Sequence, residues 1–510
     1  MTVLGTRRSA AVLLALALVA GCEAAPVPPT AAPASPAAVA TATPSPGLTP
    51  AASDSVAPSP SPSTGASKAR TYGSTGEIGD VRFAPDGRIV LVERDWATNQ
   101  SRVVALDRYG QVLPGWPWTQ GDTGDPIAFA ELGPEGSVYV AVRGAQGDPQ
   151  TYTWTLHRLD ANARELAGFP VALPDVPVCG MAVGADGTAY VNCEGEDAST
   201  AAGVTTVRAI RPDGSTASGW PIVLQGGGTI NGFRPDGAIV ITTVDERGWR
   251  IAVIRPDGTS APGWPRGTPV GSTVAIDGSG AIHVTSHTWA EGQCGPATRT
   301  TYNVLRGDGT KVPGWPVTLR GWASEPLVAD DGSMTILTKK GQAIRYGRNG
   351  KVVGGWPVTG VGVSVGCYSG SVPVSAGKDG IVVVGDGQAT RLTDGGRIAR
   401  GWPVDLPYRP AISCPGCTPG PAGPLAPAIG DRGIYVAAYR SDRPRIMALA
   451  RDGALMKGRQ KAIGKKGDDV EWVRIAPDGR VWMLLSRWSN ETQSISGLLV
   501  PVATDRPLQD

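Results

Sequence analysis

Cys179 and Cys193 stand seven residues either side of Asp186. That placement sets them opposite each other if the chain between them folds back as a hairpin. Six cysteines lie in the body of the chain: Cys179, Cys193, Cys294, Cys367, Cys414 and Cys417. An even number favours disulfides wherever the compartment is oxidising. With 179 and 193 paired, Cys414-Pro415-Gly416-Cys417 can close a small loop, which leaves Cys294 for Cys367. A lone Cys-x-x-Cys can also be redox-active or half a zinc site. Here it has no second pair and no βαβ context, and the chain holds only three histidines, His157, His283 and His287. His283 and His287 lie four apart on an expected strand and its exit, so they do not share a helical face as metal ligands do. Ordinary strand and loop residues are the simpler reading.

The aromatic residues offer a second kind of chemistry. Trp96, Trp154, Trp249, Trp289 and Trp488 each follow an expected inner hairpin, several beside charged groups as in Asp95-Trp96 and Asp245-Glu246-Arg247-Gly248-Trp249. Exposed indoles with polar neighbours grip sugars or peptides, and the first four are candidate ligand-binding residues. Capping of blade edges is the plainer use. The carboxylates Asp122, Asp125, Glu291 and Glu325 are scattered, and glycoside cleavage needs two of them to converge. The sequence contains no Walker-type phosphate loop, and none of its Asp-Gly turns carries an Asp-x-Asp-x-Asp-Gly calcium series. No metal or cofactor is expected.

These residues are positioned by a repeated hairpin. Apolar runs enter and leave a tight turn at Asp86-Gly87, Glu135-Gly136, Asp186-Gly187, Asp236-Gly237, Asp277-Gly278, Asp331-Gly332, Asp379-Gly380, Arg432-Gly433 and Asp478-Gly479, at spacings of 41 to 54 residues. Gly takes the φ > 0 position such a turn needs. Each copy continues with a third strand, a second turn such as Asp213-Gly214, and a fourth strand running toward Gly-Trp-Pro. That ending stands at residues 115, 219, 263, 314, 355 and 401, as Gly168-Phe169-Pro170 in the second copy, and degenerates to Gly458-Arg459-Gln460 in the eighth. Four short strands per repeat without a helical period predict an all-β fold, a single β-propeller. The motif count gives nine blades, with eight as the alternative if an irregular fifth or sixth copy is absorbed elsewhere. The last copy lacks a fourth strand, which Ala69-Arg70-Thr71-Tyr72 can supply. Large rings at one place in every blade are expected to wedge between neighbouring sheets.

The turn and Gly-Trp-Pro pattern over residues 70–503 resembles bacterial propeller repeats of the NHL and quinoprotein-like kinds, found in exported surface proteins. The resemblance implies architecture and leaves activity open. The N-terminus adds a compartment. Arg7 and Arg8 precede an apolar run from Ala10 to Ala20, and Val19-Ala20-Gly21-Cys22 resembles the bacterial lipoprotein signal. The resemblance implies cleavage before Cys22 and its diacylation. An ordinary signal cleaved nearby is the alternative, and the run is too short for a span of about 20 residues. Residues 1–22 thus read as signal, 23–68 as a disordered Pro/Ala/Ser/Thr-rich tether and 69–510 as the propeller. An extended tether at about 3.1 Å per residue reaches on the order of 100 Å.

The 47 basic and 45 acidic residues leave a formal charge of +2, without the concentrated basic face of a nucleic-acid binder. The cysteine-bearing segments Cys294, Cys367 and Cys414–Cys417 fall in connections that share one face of the disc, which marks that face as the elaborated one. The expected protein is a monomer, lipid-anchored at the outer face of the cell membrane, acting as a non-enzymatic binding module for a protein or carbohydrate. The alternatives are an exported propeller enzyme, either a quinoprotein-like dehydrogenase or a glycan-cleaving lyase or hydrolase, and a structural envelope spacer.

Overall fold

The computed structural model describes residues 69–510 apart from 96–97, 99, 121–126, 145–152, 174–177, 197–202, 290–296, 364–373, 378–379, 386, 411–424, 457–460, 490–493 and 503–510. The signal, tether and Cys22 lie outside the described residues, as do Trp96, Cys294, Cys367, Cys414 and Cys417.

Nine antiparallel sheets follow one another along the chain, all but the first and eighth of four strands. In blade I a single bridge, Val103 to Trp118, stands for the outer strand. Each second strand is buried on both sides, as in Ile89–Asp95, Val138–Gly144, Ile239–Asp245 and Gly380–Gly385. A strand flanked by two neighbouring sheets must be apolar on both faces, which explains runs such as Ile-Val-Leu-Val. Nine apolar clusters lie between the blades, one per interface. Nine interfaces for nine blades mean a closed ring, and the account of eight blades falls away. The closing interface packs Ile78, Val81, Ile89 and Leu91 of blade I on Ala476, Trp482 and Leu484 of blade IX.

Closure is made by the N-terminal strand Tyr72–Gly73, which pairs with Ser494–Val502 as the outer strand of blade IX. It is tied down further by Ser74 N–H to Gly497 O (2.9 Å) and Arg70 N–H to Tyr109 O (2.7 Å). The Tyr72 hydroxyl donates to Glu93 of blade I (2.7 Å), and Arg102 pairs with the same carboxylate. Burial, then Glu93, pushes the Tyr72 phenol well above its ordinary range, so it stays a donor.

The turn between the first two strands follows the expected chemistry in six blades. Gly87, Gly136, Gly187, Gly237, Gly332 and Gly479 have φ between 76° and 88°. In the first copy Gly87 N–H reaches Ala84 O and Ala84 N–H reaches Arg88 O, a type I turn closed by a left-handed glycine. The Asp ahead of it accepts the amide two residues on, as Asp86 does from Arg88 (2.9 Å). Three copies depart. In blade V the left-handed residue is Gly280, two positions later, because Asp277 rather than Ala275 begins the turn. In blades VII and VIII the pairing runs up to Gly377 opposite Gly380 and Gly430 opposite Gly433.

The outer strand begins after Gly-Trp-Pro and does not run toward it: in blade III it is Ile222–Gln225, behind Gly219-Trp220-Pro221. The motif is a latch onto the next blade. Seven X–Pro bonds at these positions are cis. The indole N–H donates to a carbonyl in the next blade's turn between its third and outer strands: Trp116 to Ala161, Trp220 to Pro256, Trp264 to Gly307, Trp315 to Arg348, Trp356 to Asp394 and Trp402 to Arg451, at 2.8 to 3.3 Å. Phe169 lacks that donor, and Arg158 NH1 takes the corresponding Pro212 carbonyl instead (2.6 Å). Arg158→Met is therefore expected to cost about 1–2 kcal/mol, read as a shifted urea midpoint, because it strands a carbonyl at the blade II–III seam. The eighth copy loses its Trp for a topological reason. Blade IX takes its outer strand from the other end of the chain, so it has no third-to-outer turn for a latch to grip.

One cysteine expectation changes. Between Cys179 and Cys193 the register slips: Asn192 faces Gly180 and Cys193 faces Val178, so Cys179 is the bulged residue rather than directly opposite Cys193. In blade VIII, Arg409–Pro410 and Ala428–Gly430 both pair with Gly433–Arg440.

Candidate functional site at the blade V–VI seam

Strands alternate in direction outward through each blade. Turns joining first to second and third to outer strands therefore share one face, and second-to-third and blade-to-blade connections share the other, here the loop face. Trp249, Trp289 and Trp488 stand at strand ends on the loop face. Trp488 is exposed, while Trp249 and Trp289 are half-buried. Trp154 differs from the expectation of an exposed ring. It is 5% exposed, packed with Tyr139, Leu156 and Leu173 in the blade II–III core.

Blade V positions most of the polar chemistry. Its second strand, Ile282–Trp289, reads Ile-His-Val-Thr-Ser-His-Thr-Trp where other blades carry aliphatic runs. Polar groups in such a strand must find partners, since burial without them costs free energy. The side of the strand facing blade VI carries His283 and His287. His283 Nε2 meets Asp277 (3.1 Å), which also accepts from Ser279 and Ala281 and so fixes the irregular turn. Both side chains are 1% exposed, which makes this pair part of the frame. Burial lowers the His283 imidazole below its ordinary value, although Asp277 opposes the shift.

His287 lies two pleat repeats nearer the loop face. Its Nδ1 is 3.1 Å from Thr300 Oγ1 and its Nε2 is 3.5 Å from Glu325 Oε1. The Trp289 ring lies 5.5 Å from the imidazole at 40°. Thr273, at the start of blade V's inner strand, donates to the other oxygen of Glu325. Glu325 belongs to the connection into blade VI. That connection is pinned by Tyr302 Oη to Ser324 O (2.6 Å), Ser324 Oγ to Glu325 O (2.8 Å) and Leu337 N–H to Ser324 Oγ (2.9 Å). The structure thus brings together a carboxylate, an imidazole, an indole and the hydroxyls of Thr273 and Thr300 from four segments. Glu325 is 33% exposed and the His287 side chain 8%. The signal that marks the site was the polar second strand of blade V; histidine spacing alone concealed it.

A second group lines the inner strands at the ring closure. Burial, then Asp469 and Glu77, lifts the Glu471 carboxyl above the usual range, while Ser486 opposes the shift. Burial and Asp468 raise Asp469 likewise. A carboxyl raised on folding binds its proton more tightly in the folded state. That contribution is complete below the ordinary glutamate range and is lost as pH rises through the raised value. Glu471→Gln is therefore expected to stabilise the protein at neutral pH by about 0.5 kcal/mol after solvent screening. Melts across pH should show the gain vanish in acid. Among the described residues no group of three or more His, Cys, Asp or Glu is placed to hold a metal ion.

No protein-family model matches the chain, and no curated protein sequence matches it. Among solved structures the chain is similar to a eukaryotic initiation factor, at 11% identity over 77% of this chain and 89% of that one, with a TM-score of 0.47. It is similar to BamB from Moraxella catarrhalis at 12% identity over 85% and 99%, TM-score 0.37. It is also similar to the C-terminal WD40 domain of Sif2 at 11% identity over 84% and 97%, TM-score 0.40. These likenesses go no further than fold.

Proposed function

We propose that this protein is an exported, lipid-anchored propeller that works as a binding module, with its loop face turned to a ligand or partner outside the cytoplasmic membrane. The observation that carries the reading is the Glu325–His287–Trp289 group. It is held on the second strand of blade V and the pinned connection into blade VI, open to solvent on its carboxylate side, and gathers the side chains with which proteins grip polar ligands. A closed ring of nine interfaces supplies a stiff mount, so little loop or side-chain ordering is needed on binding. Export and anchoring are supported by the basic start, the apolar run and Val19-Ala20-Gly21-Cys22.

The test is mass spectrometry and absorbance on protein extracted from its own envelope without added cofactor. The expected result is an N-terminal peptide beginning at a diacylglyceryl-modified Cys22 and no chromophore. An unmodified N-terminus overturns the anchor. A bound quinone overturns the binding-module reading in favour of a dehydrogenase.

A further inference from the structure

The inner strands of blades I to VI and IX end alike, so their residues can be matched. Each turn opens at a residue whose amide reaches the carbonyl four positions on, as Ala84 does to Arg88 and Ala476 to Arg480. Two residues before that point stand Arg82, Glu131 and Arg474 in blades I, II and IX, against Ala182, Gly232, Ala275 and Leu327 in blades III to VI. These strands border the axis of the ring. Unlike the second strands they keep solvent contact, and Thr229, Thr273 and Arg474 are exposed. Charge at this level is thus gathered on one arc, from blade IX through I to II.

Within the arc the two cations are unequally served. Arg82 holds Glu131 of the next blade through Nε (2.9 Å) and Nη2 (2.6 Å), and Asp80 stands 3.8 Å from its Nη1. Among the described residues no carboxylate pairs with Arg474. Its guanidinium instead lies over the Trp472 ring, 4.7 Å from the centroid. Phe83 braces that indole edge-on at 6.2 Å, and both rings pack on the closing cluster of blades I and IX. Burial, then Arg82, lowers the Arg474 guanidinium from its ordinary value, with Asp80 opposing, so a negative charge brought to it is favoured.

We propose that this arc binds the carboxylate of a small acid entering the ring, with Arg474 as its anchor. The inference goes beyond the loop-face reading and does not depend on it. The indole covers a face of the guanidinium and leaves its N–H edge to meet two carboxylate oxygens in the fork geometry. Arg474 is exposed, so no part of the fold has to open. A single negative charge fits better than a phosphate dianion, whose second charge would stand near Asp80 and Glu131.

The experiment is calorimetric titration of the full chain purified in detergent. The probes are propionate against propionamide, and acetylated dialanine with a free carboxylate against its C-terminal amide. Saturable binding of at least one acid is expected, with its amide at least tenfold weaker. A preference for the dipeptide assigns the carboxylate to a chain end, and a preference for propionate assigns it to a free small acid. Arg474→Gln should weaken the acid about tenfold, and Arg474→Lys, which keeps the charge and loses the fork, by less. Arg255→Gln, on an exposed turn at the outer side of blade IV, should leave binding unchanged. Equal binding of acid and amide, binding of neither acid, or full binding in Arg474→Gln overturns the proposal. In the wild-type chain the 15Nε signal of Arg474 should shift with the acid and stay in place with the amide, a reading that needs no variant to fold. A signal that ignores the acid contradicts the proposal, and it leaves crosslinks on the loop face untouched, so the two readings fail separately.

Discussion

A chain that begins at Gly76 is expected to melt about 5 °C below one that begins at Lys68 and to associate at low micromolar concentration. The shorter chain loses the pairing of Tyr72 with Leu499 and Gly73 with Leu498, the Ser74–Gly497 bond and the Arg70–Tyr109 bond. It also loses the Tyr72 ring from the closing cluster and leaves the buried Glu93 with one partner fewer. At about 1 kcal/mol per hydrogen bond and about 2 for the ring, the sum is on the order of 5 kcal/mol. Exposing the edge of Ser494–Val502 adds an invitation to pair with another chain. Differential scanning calorimetry and light scattering on the two chains give the comparison. Equal melting points would mean that the apolar blade I–IX cluster closes the ring without the strand.

The second large effect is expected at the latch glycines. Gly263 sits at φ 80°, and a Cβ there would stand 2.0 Å from the Asp308 carbonyl oxygen of the next blade. Gly479 also has φ 80° but has nothing within 4 Å of such a Cβ. Alanine at either position carries the left-handed penalty of roughly 1–2 kcal/mol. At Gly263 the backbones of two blades must separate as well, so Gly263→Ala is expected to cost about 4 kcal/mol or more. The difference between the two alanine variants isolates the contact between blades. Similar costs would mean that blades IV and V yield at this point and that the latch is loose.

Much of the architecture was legible because it is local. Asp-Gly turns, apolar second strands and Gly-Trp-Pro each obey a rule that one repeat displays by itself, and repetition turned those rules into a blade count. The missing outer strand of blade IX could be read as well, since a closed ring leaves Ala69–Tyr72 a single place to go. What escaped the sequence is contact between repeats. That Trp264 reaches Gly307, or that Arg158 substitutes for an indole beside Phe169, depends on how two blades are set against each other. The shift of the blade V turn to Gly280 follows from the hydrogen bonds of Asp277 to Ser279, Ala281 and His283, a set that Asp277-Gly278 alone does not announce. The split inner strand of blade VIII was hidden because Pro410 and Ala428 lie far apart in sequence yet share one partner strand.

The candidate site was legible in parts. Trp289, His287 and Glu325 each stood out by type, but the strand and the connection that carry them converge only after blade V is set against blade VI. Trp154 shows the converse. Its position after a hairpin matched the other indoles, yet the alternation of Thr153–Leu159 turns it inward, beside Leu156. Position along a strand locates a residue at a face, and the side of the sheet decides whether that residue reaches water.

The claim that one face of the disc does the binding is tested most directly by site-specific photo-crosslinking in the native host. A photoreactive residue placed at Trp488 or Arg247 on the loop face, or at Asp236 or Asp308 on the opposite turns, reports which face meets a partner. Defined crosslinked species are expected from the loop-face positions and none from the turns. Equal crosslinking from both faces, or crosslinks confined to the turns, would contradict it.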